Sequence, residues 1–153
     1  MAFLIKDTLI KLQTHLVKGG YVKHSMIGEP KAIPAASDDV VAAVYMQSVT
    51  VVRIMADGAT VESHVVTIRL FRDMLGEPKE DTEILLAEAS SKIAENILGE
   101  FDLGGTIRNV DAAGANGTPW SIQWGYVDLG GVMFRVADMT VPMVVDGSVT
   151  MAA

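Results

Sequence analysis

The sequence predicts an α+β fold: a mostly antiparallel sheet with two helices on one face and a long β-hairpin. Three observations carry that reading. Segments 3–18 and 82–98 place apolar residues at helical spacing. Segments 40–71 and 120–145 are strand-like runs, each folded back at a glycine turn. The resulting order of helix, hairpin, helix, hairpin packs helices on an antiparallel sheet. A chain of 153 residues fits one domain, 1–153, around one core. It shows no internal repeat and no low-complexity tract.

The first helix is FLIKDTLIKLQTHLVK, with Ile5, Leu9, Leu12 and Leu16 on one stripe. Gly19 and Gly20 stop it, and Lys18 suits the negative end of its dipole. Residues 21–39 hold Pro30 and Pro34 and no clean period, which reads as a long loop with a short strand at 21–27. Next come VVAAVYMQSVTVVRIM (40–55) and TVESHVVTIRLF (60–71), joined at Asp57-Gly58. In the second arm Glu62, His64, Val66, Ile68 and Leu70 share one face, and Val61, Val65, Thr67, Arg69 and Phe71 the other. Neither face is purely polar, so both are expected to be covered in part.

Gly76-Glu77-Pro78 breaks the chain, and Asp81 is the expected N-cap of TEILLAEASSKIAENIL. Its buried stripe is Leu86, Ala89, Ile93 and Ile97, with Glu88 and Lys92 paired four apart and Gly99 as the stop. Residues 102–119 read as loop around a short strand at TIRNV, with a mobile polar insert at 111–119. The second hairpin joins WSIQWGYVDL to VMFRVADMTVPMVV through Gly130-Gly131. Pro142 cannot donate to a ladder, which places it on an edge. The tail beyond Asp146 is expected to fray or to dock on a neighbour.

Half of the residues are hydrophobic and 20% are charged, enough for a large core with apolar surface left for a partner. The formal net charge of −7 disfavours tight nonspecific binding to nucleic acid. Residues 1–31 carry five lysines (Lys6, Lys11, Lys18, Lys23 and Lys31), whereas 73–102 are crowded with acids. The ordinary reading of such charge is a solvated face; attraction between subunits is the sharper one. With no cysteine, disulfides, thiolate zinc sites and cysteine nucleophiles are excluded. No apolar run reaches the length of a membrane span, and residues 1–18 do not read as a secretory signal, so a cytoplasmic setting is the default.

Chemistry-bearing patterns are missing. His15, His24 and His64 fall in no metal-binding arrangement, and no metal or cofactor is expected. Ser25 follows His24, but neighbours in sequence do not make a triad, and G-x-S-x-G is absent. Neither phosphate-cradling glycine pattern occurs. Trp120, Ile122, Trp124 and Tyr126 alternate onto one strand face; packing under the helices is the simpler account, and a stacking platform the alternative. Met133, Met139 and Met143 likewise share a face, read as core. No catalytic residue is expected, and the chain reads as a non-enzyme.

The first hairpin is longer than its domain needs. A compact chain of this length is about 38 Å across, whereas a strand over 42–54 spans about 43 Å. Part of the hairpin must therefore bend, bulge or project, and a projecting edge is avoided unless it is used. Pairing with another subunit is the economical use, with Arg53, Asp57, Gly58 and Arg69 as candidate interface residues.

The succession of a short helix, the hairpin AAVYMQSVTVVRIMADGATVESHVVTIRLF, the acidic helix DTEILLAEASSKIAENIL and the pair WSIQWGYVDL…VMFRVADMTVPMVV resembles the tail terminator proteins of long-tailed bacteriophages. The resemblance lies in layout and size over nearly the whole chain, with no signature motif. It implies a hexameric ring that sits on the last ring of the tail tube, ends tube growth and offers a docking face to the head. The implied partners are further copies of itself, the tail tube protein and the head–tail connector, with no membrane. DNA would pass through the ring lumen without specific binding. The implied place is the tail–neck region of the virion, after assembly in the host cytoplasm. Rival readings are another small neck or tail-tube protein, and a small-molecule-binding α+β domain.

Overall fold

The computed structural model of the chain describes residues 5–18, 20, 22–29, 40–73, 79–100, 102–105 and 107–150. In order, the elements are α1 (Ile5–Lys18), β1 (Val22–Ile27), β2 (Val40–Ile54), β3 (Ala59–Asp73), α2 (Lys79–Gly99), β4 (Asn109–Val110), β5 (Ser121–Leu129) and β6 (Val132–Thr150). The expectations for Gly19, for the loop around Pro30 and Pro34, and for the break at 76–78 lie outside the described residues.

One sheet holds all six strands in the order β1-β2-β3-β6, with β4 and β5 both on the outer side of β6. Only β1 and β2 run parallel; the other pairs are antiparallel. The fold class is therefore the expected one. Both helices pack on a single face. Leu12 and Leu16 of α1 join Leu86, Ala89, Ile93 and Ile97 of α2 over Val44, Val66, Ile68, Leu70, Ala137 and Met139 of the sheet. The α2 stripe is the one its periodicity gives. The α1 stripe is turned: Thr8 and His15 are buried with Leu12 and Leu16, while Ile5 is exposed. On the opposite face a smaller cluster joins Val41, Ala43, Phe71, Phe134 and Val136, with Phe71 and Phe134 edge to face at 6.0 Å.

Four local expectations are corrected. Helix α2 begins at Lys79, so Asp81 falls within its first turn instead of at its N-cap position. Lys92 pairs with Glu95 at 3.6 Å instead of Glu88. Pro142 lies on β6, an interior strand, opposite Val65 of β3. Its carbonyl accepts from Asp111 N at 2.9 Å on the other side. In an antiparallel strand the N and O of one residue point the same way. The missing N–H therefore faces the gap where β5 stops, at Thr140, and β4 starts, at Met143. Finally, the tail does not leave the fold: β6 continues past Gly147 to pair Thr150 with Ala59.

The 111–119 insert is a closed turn. The carboxylate of Asp111 accepts from Ala115 N at 2.9 Å, Asn116 N at 3.0 Å and Asn116 Nδ2 at 3.2 Å. Trp120 N then donates to Ala112 O at 2.9 Å, which delivers the chain into β5. Gly114 sits at φ +75°, and a Cβ there would come within 2.7 Å of Pro119 N. Gly114→Ala is therefore expected to cost about 1–3 kcal/mol, from left-handed strain and the clash. Urea unfolding of the variant measures it.

Between the helices, His15 is buried with Nε2 3.0 Å from Glu100 Oε2. Its Nδ1 is also buried and has no hydrogen-bond partner among the described residues. Loss of water lowers the imidazole pKa below its ordinary 6.5, and Glu100 offsets this only in part. Between the folded and the unfolded pKa the unfolded chain holds the extra proton. The contribution of neutral His15 to stability is thus complete above about 6.5 and is lost as pH falls through the lower folded value. The denaturation midpoint should fall between pH 7 and pH 5, and by less in His15→Gln, which keeps a donor toward Glu100. Equal falls in both proteins would contradict the assignment.

Candidate functional site

Strands β2 and β3 each have 15 residues, about 50 Å of extended chain. They divide into a stem and a blade. In the stem, β2 from Val40 to Val44 is flanked by β1 on one side and β3 on the other. Beyond Tyr45 no described strand borders its outer edge. Strand β3, by contrast, keeps β2 on one side and β6 on the other through the blade as well as the stem.

Two register shifts shape the blade, one between Met46 and Ser48 and one between Val51 and Arg53. Each inserts a residue and swaps which side chains point to which face. After the first, Val49 and Val51 lie opposite His64 and Glu62; after the second, Ile54 lies opposite Thr60. Directly opposed residues share a face. All three apolar chains therefore point to the helix-bearing side, where unbroken alternation would have put Ser48 and Thr50. They are half exposed: Val49 51%, Val51 48% and Ile54 55%. Met55, at the start of the turn, is exposed as well. On the other face Ser48, Thr50 and Arg53 oppose Val65, Ser63 and Val61.

Behind this row β3 is buried and polar. Glu62 and His64 have 0% and 1% exposure. His64 Nε2 lies 2.7 Å from Glu62 Oε1, and Thr60 Oγ1 donates to Glu62 Oε2 at 2.7 Å. A carboxylate stripped of water must be bonded, and here it is. The hydroxyl bonds the carboxylate, and the set is sealed from solvent. Among the described residues no group of three or more His, Asp or Glu could hold a metal ion. No helix among them is long and apolar enough to cross a membrane.

The hairpin turn is a tight loop closed at its base. Met55 N donates to Ala59 O at 2.7 Å, and Gly58 N to Met55 O at 3.0 Å. Asp57 Oδ1 accepts from Ala59 N at 3.0 Å, and Gly58 takes φ +86°, which a side chain resists. Asp57 and Gly58 thus form the tip. Arg53 is exposed on the blade and makes no ion pair among the described residues. Arg69 lies far from these three, in the stem. Its guanidinium holds Asp138 of its own chain through Nε at 2.6 Å and Nη2 at 3.0 Å, beside the rings of Tyr45 and Phe71. The bond to Asp138 raises its already high pKa. The structure thus gathers Arg53, Asp57 and Gly58 and separates Arg69 from them.

Next to the turn is a cleft of about 590 Å³ bordered by Met55, Asp57, Val61, Arg108 and Asp146. Its charged groups are all exposed, and Arg108 Nε spans to Asp146 at 3.0 Å. At the opposite end of the sheet, Trp120 and Ile122 pack on the main core, as expected. Trp124 and Tyr126 do not: they are 40% and 62% exposed. Arg135 reaches over both rings, 5.7 Å and 4.5 Å from their centres, and donates to Glu83 of α2 at 2.6 Å. Met133 is exposed as well, whereas Met139 and Met143 are core.

Sequence reading missed the row Val49, Val51, Ile54. The only signal was that 48–54 alternate imperfectly, SVTVVRI, with two adjacent valines where the second bulge falls.

No protein-family model matches the chain, and no curated protein matches it. Among solved structures it is similar to the PVC sheath/tube terminator of an extracellular contractile injection system in its extended state, at 11% identity and a TM-score of 0.39. That likeness covers 100% of this chain and 61% of the other, so the chain spans less than two thirds of its neighbour's length.

Proposed function

We propose that the chain is a structural, non-catalytic virion protein whose copies close into a ring that caps a phage tail tube. The ring, of six copies, ends tube polymerisation and presents a docking face to the head–tail connector. It is assembled in the host cytoplasm, works in the tail–neck region, and lets DNA pass through its lumen without specific contacts. The observation that carries this reading is the half-exposed apolar row Val49, Val51 and Ile54 on a strand edge without a partner. Apolar side chains on an open edge invite another chain. The layout resemblance to tail terminators names the assembly in which such an edge has a use. Arg53, Asp57 and Gly58 lie on or beside that surface, and Arg69 braces the stem beneath it. An acidic chain, with a net charge of −7, is suited to a lumen that must not hold DNA.

The double substitution Val51→Asp, Ile54→Asp tests the reading. Both side chains are half in water already, so the variant should fold, with a loss within about 1 kcal/mol. Native mass spectrometry should show rings for the natural sequence and monomers for the variant, and tubes assembled with the variant should overgrow. A natural-sequence protein that stays monomeric at high concentration and in the presence of tubes would sink the proposal.

A further inference from the structure

Among the described residues four strand edges are open: β1, the blade of β2, β5 and the two-residue β4. Two of them look like halves of one joint. We propose that the blade edge of one copy docks against β5 of the next copy, so that the sheet runs on from subunit to subunit with Trp124 against Val49 and Ile122 against Val51. This rests on the ring reading above and names the surface that receives the blade.

Strand β1 is the guarded edge. Helix α1 lies beside it, and Gln13 Nε2 donates to Ser25 O at 3.2 Å, which occupies a backbone acceptor that a visiting strand would use. Strand β5 pairs with β6 alone and has nine residues. The open part of β2, Tyr45 to Ile54, is of similar length.

Side-chain placement selects the pairing. Trp124 lies opposite Ala137, and Tyr126 opposite Arg135. Ala137 belongs to the helix-side core, so both rings stand on the helix-bearing face. Val49, Val51 and Ile54 stand on the same face at the other edge. When two sheets join edge to edge with their helix layers on one side, these two rows meet, aromatic against β-branched. Such cross-strand pairs are among the favourable ones. On the reverse face Ser48, Thr50 and Arg53 would meet Ser121, Gln123 and Gly125, polar against polar. Strand direction agrees too. Passing from β2 through β3 and β6 to β5, each neighbour reverses direction. Strand β5 of one copy and β2 of the next are therefore antiparallel.

The joint also fixes a stagger. Through the ladder, Trp124 is level with Ala42 in the stem, whereas the apolar row lies further along β2. Bringing Trp124 beside Val49 steps each copy about 20 Å along the strands for about 19 Å of sheet width, a tilt of about 45°. Closed sheets have strand tilts of about this size.

The absence of native cysteine makes the test direct. Val49→Cys and Trp124→Cys chains are mixed at assembling concentration and treated with a short bis-maleimide. Thr50→Cys and Gln123→Cys form a second pair on the other face, in case loss of the ring weakens assembly. The expected result is a cross-linked heterodimer for each mixture, a ladder ending at the ring for each doubly substituted chain, and little product from any single variant alone. Val49→Cys linking to itself would mean a two-fold blade-to-blade joint and would overturn the proposal. Rings by native mass with no link in either pair would overturn it while leaving the ring standing. Monomers throughout would remove both.

Discussion

Half of strand β2 has a described backbone partner on only one side, and the rest of the molecule is arranged around that fact. Strand β3 could not extend beyond the helix layer without β6, which follows it to Ala59. Where both faces of β3 are buried there, Thr60 and His64 each bond the carboxylate of Glu62. What remains is β2, held by β3 and open outward. Natural sheets blunt such an edge with charge, proline or bulges. This one has two bulges, yet they gather valine and isoleucine onto one face instead of turning them away.

The stem is built for stiffness. Arg69 crosses to Asp138 and lies against Tyr45 and Phe71, which binds β2, β3 and β6 on the face away from the helices. Arg72 reaches Thr82 at 3.0 Å and fastens β3 to the start of α2. Arg135 does the same for β6 through Glu83. A blade set on a stem fastened by three arginines presents its edge in one orientation. That is what docking without a large ordering cost requires.

Much of this was legible in the sequence, for identifiable reasons. The α2 stripe followed from a 3.6-residue period that nothing interrupts, and the long hairpin from β-branched runs on both sides of Asp57-Gly58. The two faces of β3 were read correctly because β3 alternates without a break from Val61 to Asp73. Most of what escaped depends on a partner distant in sequence. The imperfect alternation of 48–54 does not say where a bulge falls, so the reversal that aims Val49 and Val51 could not be read from it. Pro142 was read as an edge because proline blocks one side of a ladder; that side happens to meet a gap between β5 and β4. The 111–119 turn looked mobile because its composition is small and polar, but Asp111 closes it through three hydrogen bonds. Of the expected interface residues, Arg53, Asp57 and Gly58 are adjacent because the turn is local. Arg69 shares the hairpin with them, on the other arm from Arg53, but is engaged in the stem.

Hydrogen exchange on the unmodified protein, followed over a dilution series, tests the central claim most directly. The amides of β3 from Val61 to Val66 are bonded within the chain and should exchange slowly at every concentration. Those of β2 from Ser48 to Ile54 that point outward have no described partner. The account predicts that they exchange fast in dilute solution and become protected as the protein is concentrated, in step with the rise in mass. Outward amides of 48–54 that exchange at the same rate in the assembled and the dilute protein would show that the open edge is not what holds copies together.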